Sequence, residues 1–327
     1  MDHVKLGRSG LEVSRLCLGA MGFGDPGQQM HGGWVIDEAA SREVVRHALD
    51  LGVTFFDTAN VYGRGRSEEI LGKALVDFAP RDEIVLATKV HGRMFDGPNG
   101  GGLSRKMILS QIDASLKRLG TDYVDLYIIH RFDPTTPIEE TMSALNDVVR
   151  SGRARYLGAS AMWAWQFHEA MHVAETNGWE RFISMQNHYN LLYREEEREM
   201  MPLLRAKGVA STPYSPLAAG RLTRDWDATT ARAQTDEIAR GKYDSTEADD
   251  RAIVEAVARV AERHGVPRVQ VALAWLLAKQ PVVAPIIGAT KASHLDQALP
   301  ALDLTLDDAD LAELEQPYGP HAVVGHS

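Results

Sequence analysis

An eightfold alternation of short apolar runs and helical patterns constrains this chain more than any other feature of its sequence. The runs predict strands at 16–18, 54–56, 84–88, 123–129, 155–159, 182–186, 208–212 and 282–287. Helical patterns follow them at 37–51, 66–78, 104–119, 138–150, 162–176, 195–206, 248–264 with 268–279, and 291–298. Runs that are apolar on both faces are typical of a parallel sheet covered by helices. Eight such units with no linker predict an α/β fold, a single (β/α)8 TIM barrel domain over residues 1–327.

The two segments outside this alternation are the N-terminus and a long polar stretch. Residues 4–6 and 13–16 flank a Gly-Arg-Ser-Gly turn and predict a β-hairpin, which we expect to plug the bottom of the barrel. Residues 221–247 are long and polar, and we expect them to form either a lid or a partly disordered loop. The C-terminal tail, residues 316–327, has no helical pattern.

Charge and composition restrict the partners and the compartment. A net charge of −10, with no run of five like charges, argues against nucleic acid as a partner. No apolar stretch approaches the ~20 residues that a membrane span needs, so we expect no membrane partner. The single cysteine, Cys17, excludes an intramolecular disulfide and fits a reducing compartment. We therefore expect a cytoplasmic protein, and the sequence leaves the oligomeric state open.

Four ionisable residues follow three neighbouring strands. Asp57 ends the run TFF, Tyr62 lies five residues later, Lys89 follows IVLAT and His130 follows DLYII. Each one alone has an ordinary structural explanation, such as a solvent-exposed lysine or a turn-forming aspartate. Together they would face one axis, because polar residues at the C-terminal ends of barrel strands converge. Nearby Ser67 is a candidate N-cap of the following helix.

The chemistry of these four residues fits proton transfer. A lysine ammonium beside a tyrosine lowers the phenol pKa, and an aspartate keeps the lysine charged. We therefore expect Lys89 and Asp57 to depress the pKa of Tyr62, which would donate a proton to a carbonyl oxygen. His130 would hydrogen-bond the same oxygen.

Several segments resemble the aldo-keto reductase superfamily over nearly the whole length, closer to its bacterial and potassium-channel-β-like branch. They are LGRSGLEVSRLCLGAMGFG, FFDTANVYGRGRSEEILGKAL, ATKV, LYIIHRFDP, GRARYLGAS, SMQNHYNLLYREEE, PYSPLAAGRL and PIIGATKASHLDQAL. The resemblance implies a (β/α)8 barrel that reduces small aldehydes and ketones with NADP(H). It also implies a catalytic tetrad of Asp57, Tyr62, Lys89 and His130.

The resemblance further implies a set of cofactor-binding residues. Gln186 and Ser160 match the nicotinamide amide site, but Ala161 replaces the usual Asn, which makes Asn187 a candidate substitute. Tyr214 matches the aromatic that stacks on the nicotinamide. The remaining matches, for the pyrophosphate, the 2′-phosphate and the adenosine, are Ala20, Met21, Ser215, Leu217, Gly220, Arg221, Gly288, Thr290, Lys291, His294 and Gln297. Lys291 at a helix N-terminus suits a phosphate dianion.

Some features leave alternatives open. Trp34 and Trp226 either pack or line the substrate pocket, as do Trp163 and Trp165. His321, in a tail of the kind that often folds over the barrel mouth in this family, either touches substrate or is disordered. The retained tetrad also fits an NADP-binding regulatory subunit like the potassium-channel β subunits.

A zinc hydrolase is the weakest alternative. His168 and His172 form an H-E-x-x-H sequence, with Glu195 as a conceivable third ligand. The same helix carries an apolar stripe of Phe167, Ala170, Met171 and Ala174, typical of packing on a barrel. We therefore expect no metal.

Overall fold

The N-terminal hairpin closes one end of the barrel. A computed structural model of the chain describes residues 1–27, 32–228, 230 and 235–326. Strands β1 (His3–Lys5) and β2 (Glu12–Ser14) pair antiparallel, with Val4 opposite Val13. Leu6 and Val13 are fully buried in one cluster with residues from inside the barrel, such as Phe55 and Leu126. The predicted bottom plug is therefore present.

The described residues form eight parallel strands in one sheet whose order follows the sequence. They are β3 (Cys17–Gly19), β4 (Phe55–Asp57), β5 (Val85–Val90), β6 (Val124–Ile129), β7 (Ala154–Ser160), β8 (Phe182–Gln186), β9 (Ala210–Ser211) and β10 (Ile286–Gly288). Strand β10 pairs with β3. At the other edge, Ser211 N donates to Pro281 O and Val283 N to Ser211 O, which joins β9 to the segment leading into β10. The predicted (β/α)8 TIM barrel is confirmed.

The helices surround this sheet; most bury one face, and the helix Arg268–Ala278 is buried on nearly all sides. In the described chain they are α1 (Glu38–Asp50), α2 (Arg66–Phe78), α3 (Arg105–Leu119), α4 (Ile138–Arg150), α5 (Ala164–Asn177), α6 (Met200–Lys207), α7 (Glu237–Tyr243), α8 (Glu247–His264), α9 (Arg268–Ala278), α10 (Ala292–Ala298) and α11 (Asp308–Glu315). Helix α5 buries Phe167, Ala170, Met171 and Ala174, the predicted stripe. None of the helices in the described ranges is long and apolar enough to cross a membrane.

Two helices and one cap differ from the sequence-based expectations. Helix α7, capped by Asp236, lies within the polar stretch 221–247, so this stretch is more regular than expected; residues 229 and 231–234 of it lie outside the described residues. Helix α11 begins with a capping box formed by Asp307 and Asp310. Ser67 is not the N-cap of α2: Gly65 holds that position, and the Ser67 hydroxyl donates to Ala20 O.

Candidate active site

A buried ion pair lies at the C-terminal ends of β4 and β5. Asp57 pairs in register with Ala87, so Lys89 lies two residues further toward the mouth on the same side of β5. Lys89 Nζ lies 2.5 Å from Asp57 Oδ2 and donates to Thr58 O at 2.8 Å. Both side chains are buried. Such a pair persists inside a protein only when further hydrogen bonds satisfy both partners, as they do here.

Tyr62 and His130 complete the cluster. Tyr62 opens a 3₁₀ turn after β4, and its hydroxyl lies 3.3 Å from Lys89 Nζ. His130 directly follows β6, and its backbone N donates to Val90 O at 2.8 Å. The His130 and Tyr62 rings meet edge to face, 5.6 Å apart at 79°. The structure thus brings together all four residues of the predicted tetrad.

The pKa of Tyr62 corrects one expectation. Burial raises the pKa of the Tyr62 phenol; the charge of Lys89 lowers it but only in part, and Asp57 raises it further. Lys89 therefore acts on this pKa in the expected direction. The expectation that the Tyr62 pKa lies below its ordinary value is wrong, because burial outweighs the lysine and the charge of Asp57 acts in the same direction as burial. Burial alone would lower the pKa of Lys89, but Asp57 and Tyr62 raise it above its ordinary value. At neutral pH the site holds an ammonium beside a protonated phenol.

The residues expected at the nicotinamide amide connect to the same carboxylate. Gln186 Nε2 donates to Asp57 Oδ1 at 2.9 Å, and Ser160 Oγ donates to Gln186 O at 2.7 Å. Asn187 is buried with its side chain turned to Ser211 Oγ, at 2.7 Å, and Met201. The amide of Asn187 is thus engaged by Ser211 and Met201, and its assignment as a substitute for the missing Asn at 161 stays a prediction.

An aromatic stack supports Tyr214. The His188 ring lies parallel to Tyr214, with centroids 5.3 Å apart at 12°, and parallel to Tyr193 at 4.2 Å. His188 Nε2 hydrogen-bonds Tyr243 at 2.7 Å. Burial lowers the pKa of His188 well below its usual range, so the ring is neutral. His188 has no role among the residues predicted from the sequence, and the aromatic run HYNLLY is the signal that indicates such a stack.

The segment after β9 has an unusual backbone. Ser215, Ala218, Ala219 and Gly220 all have positive φ. Arg221 pairs with Asp244, and its guanidinium lies 4.8 Å from the centre of the Trp226 ring. Trp226 also packs against the main core, which fits the packing alternative for this residue.

The remaining cofactor candidates lie where β10 and β3 run side by side. Gly288 pairs in register with Gly19, which precedes Ala20 and Met21. Thr290 N donates to His294 Nδ1 at 3.4 Å, and Gln297 O accepts from Gln270. Lys291 is exposed at the start of the short helix α10. Trp34 is half-buried near this edge: a Cβ added at Gly22 would lie 2.9 Å from its ring.

The C-terminal tail folds over this end of the barrel. Tyr318 OH donates to Glu195 at 2.8 Å, and His321 Nε2 lies 2.9 Å from Asp250 in a buried pair. His326 Nε2 lies 3.1 Å from Glu196. A Cβ added at Gly325 would lie 3.1 Å from the Tyr214 hydroxyl. Residues 316–326 therefore lie across the mouth, and the His321 ring contacts Asp250 and stacks on Tyr318, with centroids 5.3 Å apart.

The H-E-x-x-H sequence stands apart from the tetrad. His168 and His172 are exposed on α5, with ring centroids 6.5 Å apart. Glu195 accepts from Tyr318, from Arg198 and from the backbone of His321. Within the described ranges no group of three or more His, Cys, Asp or Glu side chains is arranged to hold a metal ion.

Comparison with known proteins agrees with this geometry. The aldo/keto reductase family model matches residues 15–318. The chain belongs to the aldo/keto reductase family. Versiconal hemiacetal acetate reductase of Aspergillus parasiticus is 43% identical, over 99% of this chain and 98% of that protein. An aldo-keto reductase of Metarhizium robertsii is 43% identical, over 100% of this chain and 94% of that protein. The family consists of oxidoreductases that act on small carbonyl compounds and generally use NAD(P)H.

Proposed function

We propose that this aldo/keto reductase reduces an aldehyde or ketone to the alcohol with NADPH, and that Tyr62 is the proton donor. One observation carries this proposal: a buried ammonium, Lys89, contacts both Asp57 and the hydroxyl of Tyr62. A phenol in this position is suited to donate its proton, because the adjacent ammonium stabilises the phenolate that forms.

Each residue of the tetrad has its own role in the proton transfer. Tyr62 gives its proton to the carbonyl oxygen as that oxygen gains charge. Lys89 stabilises the phenolate that remains, which lowers the barrier because the charge is fixed in place before the reaction. Asp57 keeps Lys89 protonated. His130, edge-on to Tyr62, orients the same oxygen. Tyr214 would hold the nicotinamide of NADPH, which when bound would supply the hydride for the carbonyl carbon.

The residues around Tyr214 fit this dinucleotide. His188 backs one face of the Tyr214 ring, so a planar nicotinamide suits the other face. Leu217 has a negative φ and Ala218 a positive φ, and such a change of sign turns successive N–H groups into a concavity that suits phosphate. Exposed Lys291, beside the end of β10, supports a 2′-phosphate and hence NADPH over NADH.

A panel of simple aldehydes and ketones tests the proposal. Initial rates of cofactor oxidation are measured with NADPH and with NADH, side by side. We expect turnover with several aldehydes and a higher kcat/KM for NADPH. Tight NADPH binding without turnover of any carbonyl would contradict the proposal and favour the NADP-binding regulatory subunit.

A further inference from the structure

Two cations at the barrel mouth, Arg131 and Lys242, have no role in the proposed reaction. Arg131 directly follows His130, and its Nη1 donates to His130 O at 2.7 Å. Lys242, on α7, donates to the Tyr214 hydroxyl at 3.3 Å, and its Nζ lies 4.4 Å from the Tyr214 ring centre. Both side chains are half-buried.

The two positive charges are close enough to act on each other and on the active site. The charge of Arg131 lowers the pKa values of Tyr62, Tyr214 and Lys242. Burial and Arg131 together lower the pKa of Lys242 to about 7, and Asp236 opposes them. The charge of Arg131 therefore reaches Tyr62, Tyr214 and Lys242.

The described residues place no carboxylate within 4 Å of either cation. Nearby acids are committed elsewhere: Asp57 to Lys89, and Glu196 to His326. Asp133 accepts from Thr135, Thr136 and the backbone of Leu103. Asp236 acts on Lys242 only through its charge, and neither cation has a carboxylate in contact with it among the described residues. Two half-buried cations that lack such a contact are costly, so this arrangement suits an anionic ligand.

The wall beside Arg131 is aromatic. Phe132 follows it directly and lies 6.1 Å from Trp165, whose side chain is 62% exposed. Trp163, 44% exposed, meets the His326 ring at 4.7 Å. These aromatic rings and the Arg131 guanidinium would suit a substrate that has a flat aromatic ring and an anionic group at one end.

We propose that Arg131 and Lys242 form an anion-binding subsite, and that the preferred substrates are aldehydes or ketones carrying a carboxylate or a similar anionic group. The inference rests on the proposed function, because it places the anion relative to a carbonyl held at Tyr62 and His130. A phosphate of the dinucleotide is the other source of negative charge near Tyr214, and the test separates the two.

The test compares two aldehydes of the same shape and different charge, para-carboxybenzaldehyde and para-formylbenzamide. Their kcat/KM values are measured with NADPH for wild type, Arg131→Met, Lys242→Met and the double variant. Arg93→Met is the matched control, since Arg93 is an exposed arginine on the loop after β5 at the same end of the barrel. Methionine keeps the apolar stem of either side chain and removes the charge.

We expect wild type to prefer the carboxylate by about tenfold or more, because a charge-assisted hydrogen bond is lost with the amide. Each methionine variant at 131 or 242 lowers kcat/KM for the carboxylate by about tenfold or more. The amide and the Arg93→Met control change by less than about fivefold. An equal fall for both aldehydes, or no preference in wild type, overturns the subsite.

Two further measurements keep the result interpretable. Fluorescence titration gives the Kd of NADPH for each variant. If this Kd rises as much as kcat/KM falls for both aldehydes, the two cations bind the cofactor phosphates, and the proposal is overturned. If wild type reduces no carbonyl of the panel, the proposed function fails, and calorimetry with benzoate and benzamide still tests the subsite; the same calorimetry replaces the kinetics if only these two aldehydes are not reduced. Benzoate binding that weakens in the methionine variants supports it, and equal binding of the two probes overturns it.

Discussion

The side-chain amide of Gln186 donates a 2.9 Å hydrogen bond to Asp57 Oδ1, while Lys89 holds the other oxygen of the same carboxylate. Asp57 therefore joins a residue expected at the nicotinamide amide to the residue that supports the proton donor. A carboxylate fixed from both sides has little freedom to move, so the relative positions of cofactor and proton donor depend on it.

Substitution of Asp57 should cost more stability than removal of the whole ion pair. Asp57→Asn leaves the Lys89 ammonium buried without its counter-ion, a change that costs about 3–5 kcal/mol in the free energy of unfolding. The double variant Asp57→Asn/Lys89→Met removes the uncompensated charge and should be more stable than the single variant. Chemical denaturation measures both. A double variant less stable than Asp57→Asn would show that charge compensation is not the cause.

The pH dependence should reflect a Tyr62 pKa above its ordinary value. A group with a raised pKa keeps its proton through neutral pH and loses it only in alkali, so carbonyl reduction should be level from about pH 6 to about pH 9 and fall above about pH 10. Alcohol oxidation needs the phenolate and should rise over the same alkaline range. Rate profiles in both directions check this, with the residual rate of Tyr62→Phe as control. A fall in the reduction rate between about pH 7 and about pH 8 would mean a lowered pKa.

Lys291 should discriminate between the two cofactors. Lys291→Met removes the cation that we propose pairs with the 2′-phosphate, so we expect the Kd of NADPH to rise by about 10- to 100-fold and that of NADH to stay nearly constant. Fluorescence titration of both cofactors measures this. Lys117→Met, at an exposed position on α3, is the control. Equal losses for NADPH and NADH would place the 2′-phosphate elsewhere.

The buried pair of His321 and Asp250 should hold the C-terminal tail in place. Their side chains are 4% and 0% exposed. In Asp250→Asn the histidine loses its charged partner, so the backbone amides of 319–326 should exchange hydrogen faster while those of β4 and β5 do not change. Hydrogen exchange with mass spectrometry measures both regions. Unchanged exchange in the tail would show that Tyr318 and His326 suffice to hold it.

Much of the fold could be predicted because its signals are local. Each barrel strand is an apolar run bounded by polar residues, and the polar residues that end these runs are those that meet at the mouth. Asp57, Lys89 and His130 could be assigned to one end of the barrel for this reason. Helix α7 could not be predicted, because its seven residues lie in a polar stretch and carry too few apolar positions to show a helical period.

Other features depend on packing that no local pattern contains. The direction of the Tyr62 pKa depends on how completely the folded chain buries the phenol, and burial outweighs the lysine. The orientation of Asn187 depends on its hydrogen bond with Ser211, which lies on the neighbouring strand β9, 24 residues further along the chain. The stack joins His188 and Tyr193, from one short run, to Tyr214, and only the fold brings these two segments together.

Single-turnover kinetics of Tyr62→Phe test the central claim most directly. The variant is loaded with NADPH, mixed with an aldehyde that wild type reduces, and followed by the loss of NADPH absorbance. We expect an unchanged Kd for NADPH and a hydride-transfer rate lower by about 10²- to 10⁴-fold, since phenylalanine keeps the ring and removes the proton. A rate close to that of wild type would contradict the role of Tyr62 as the proton donor.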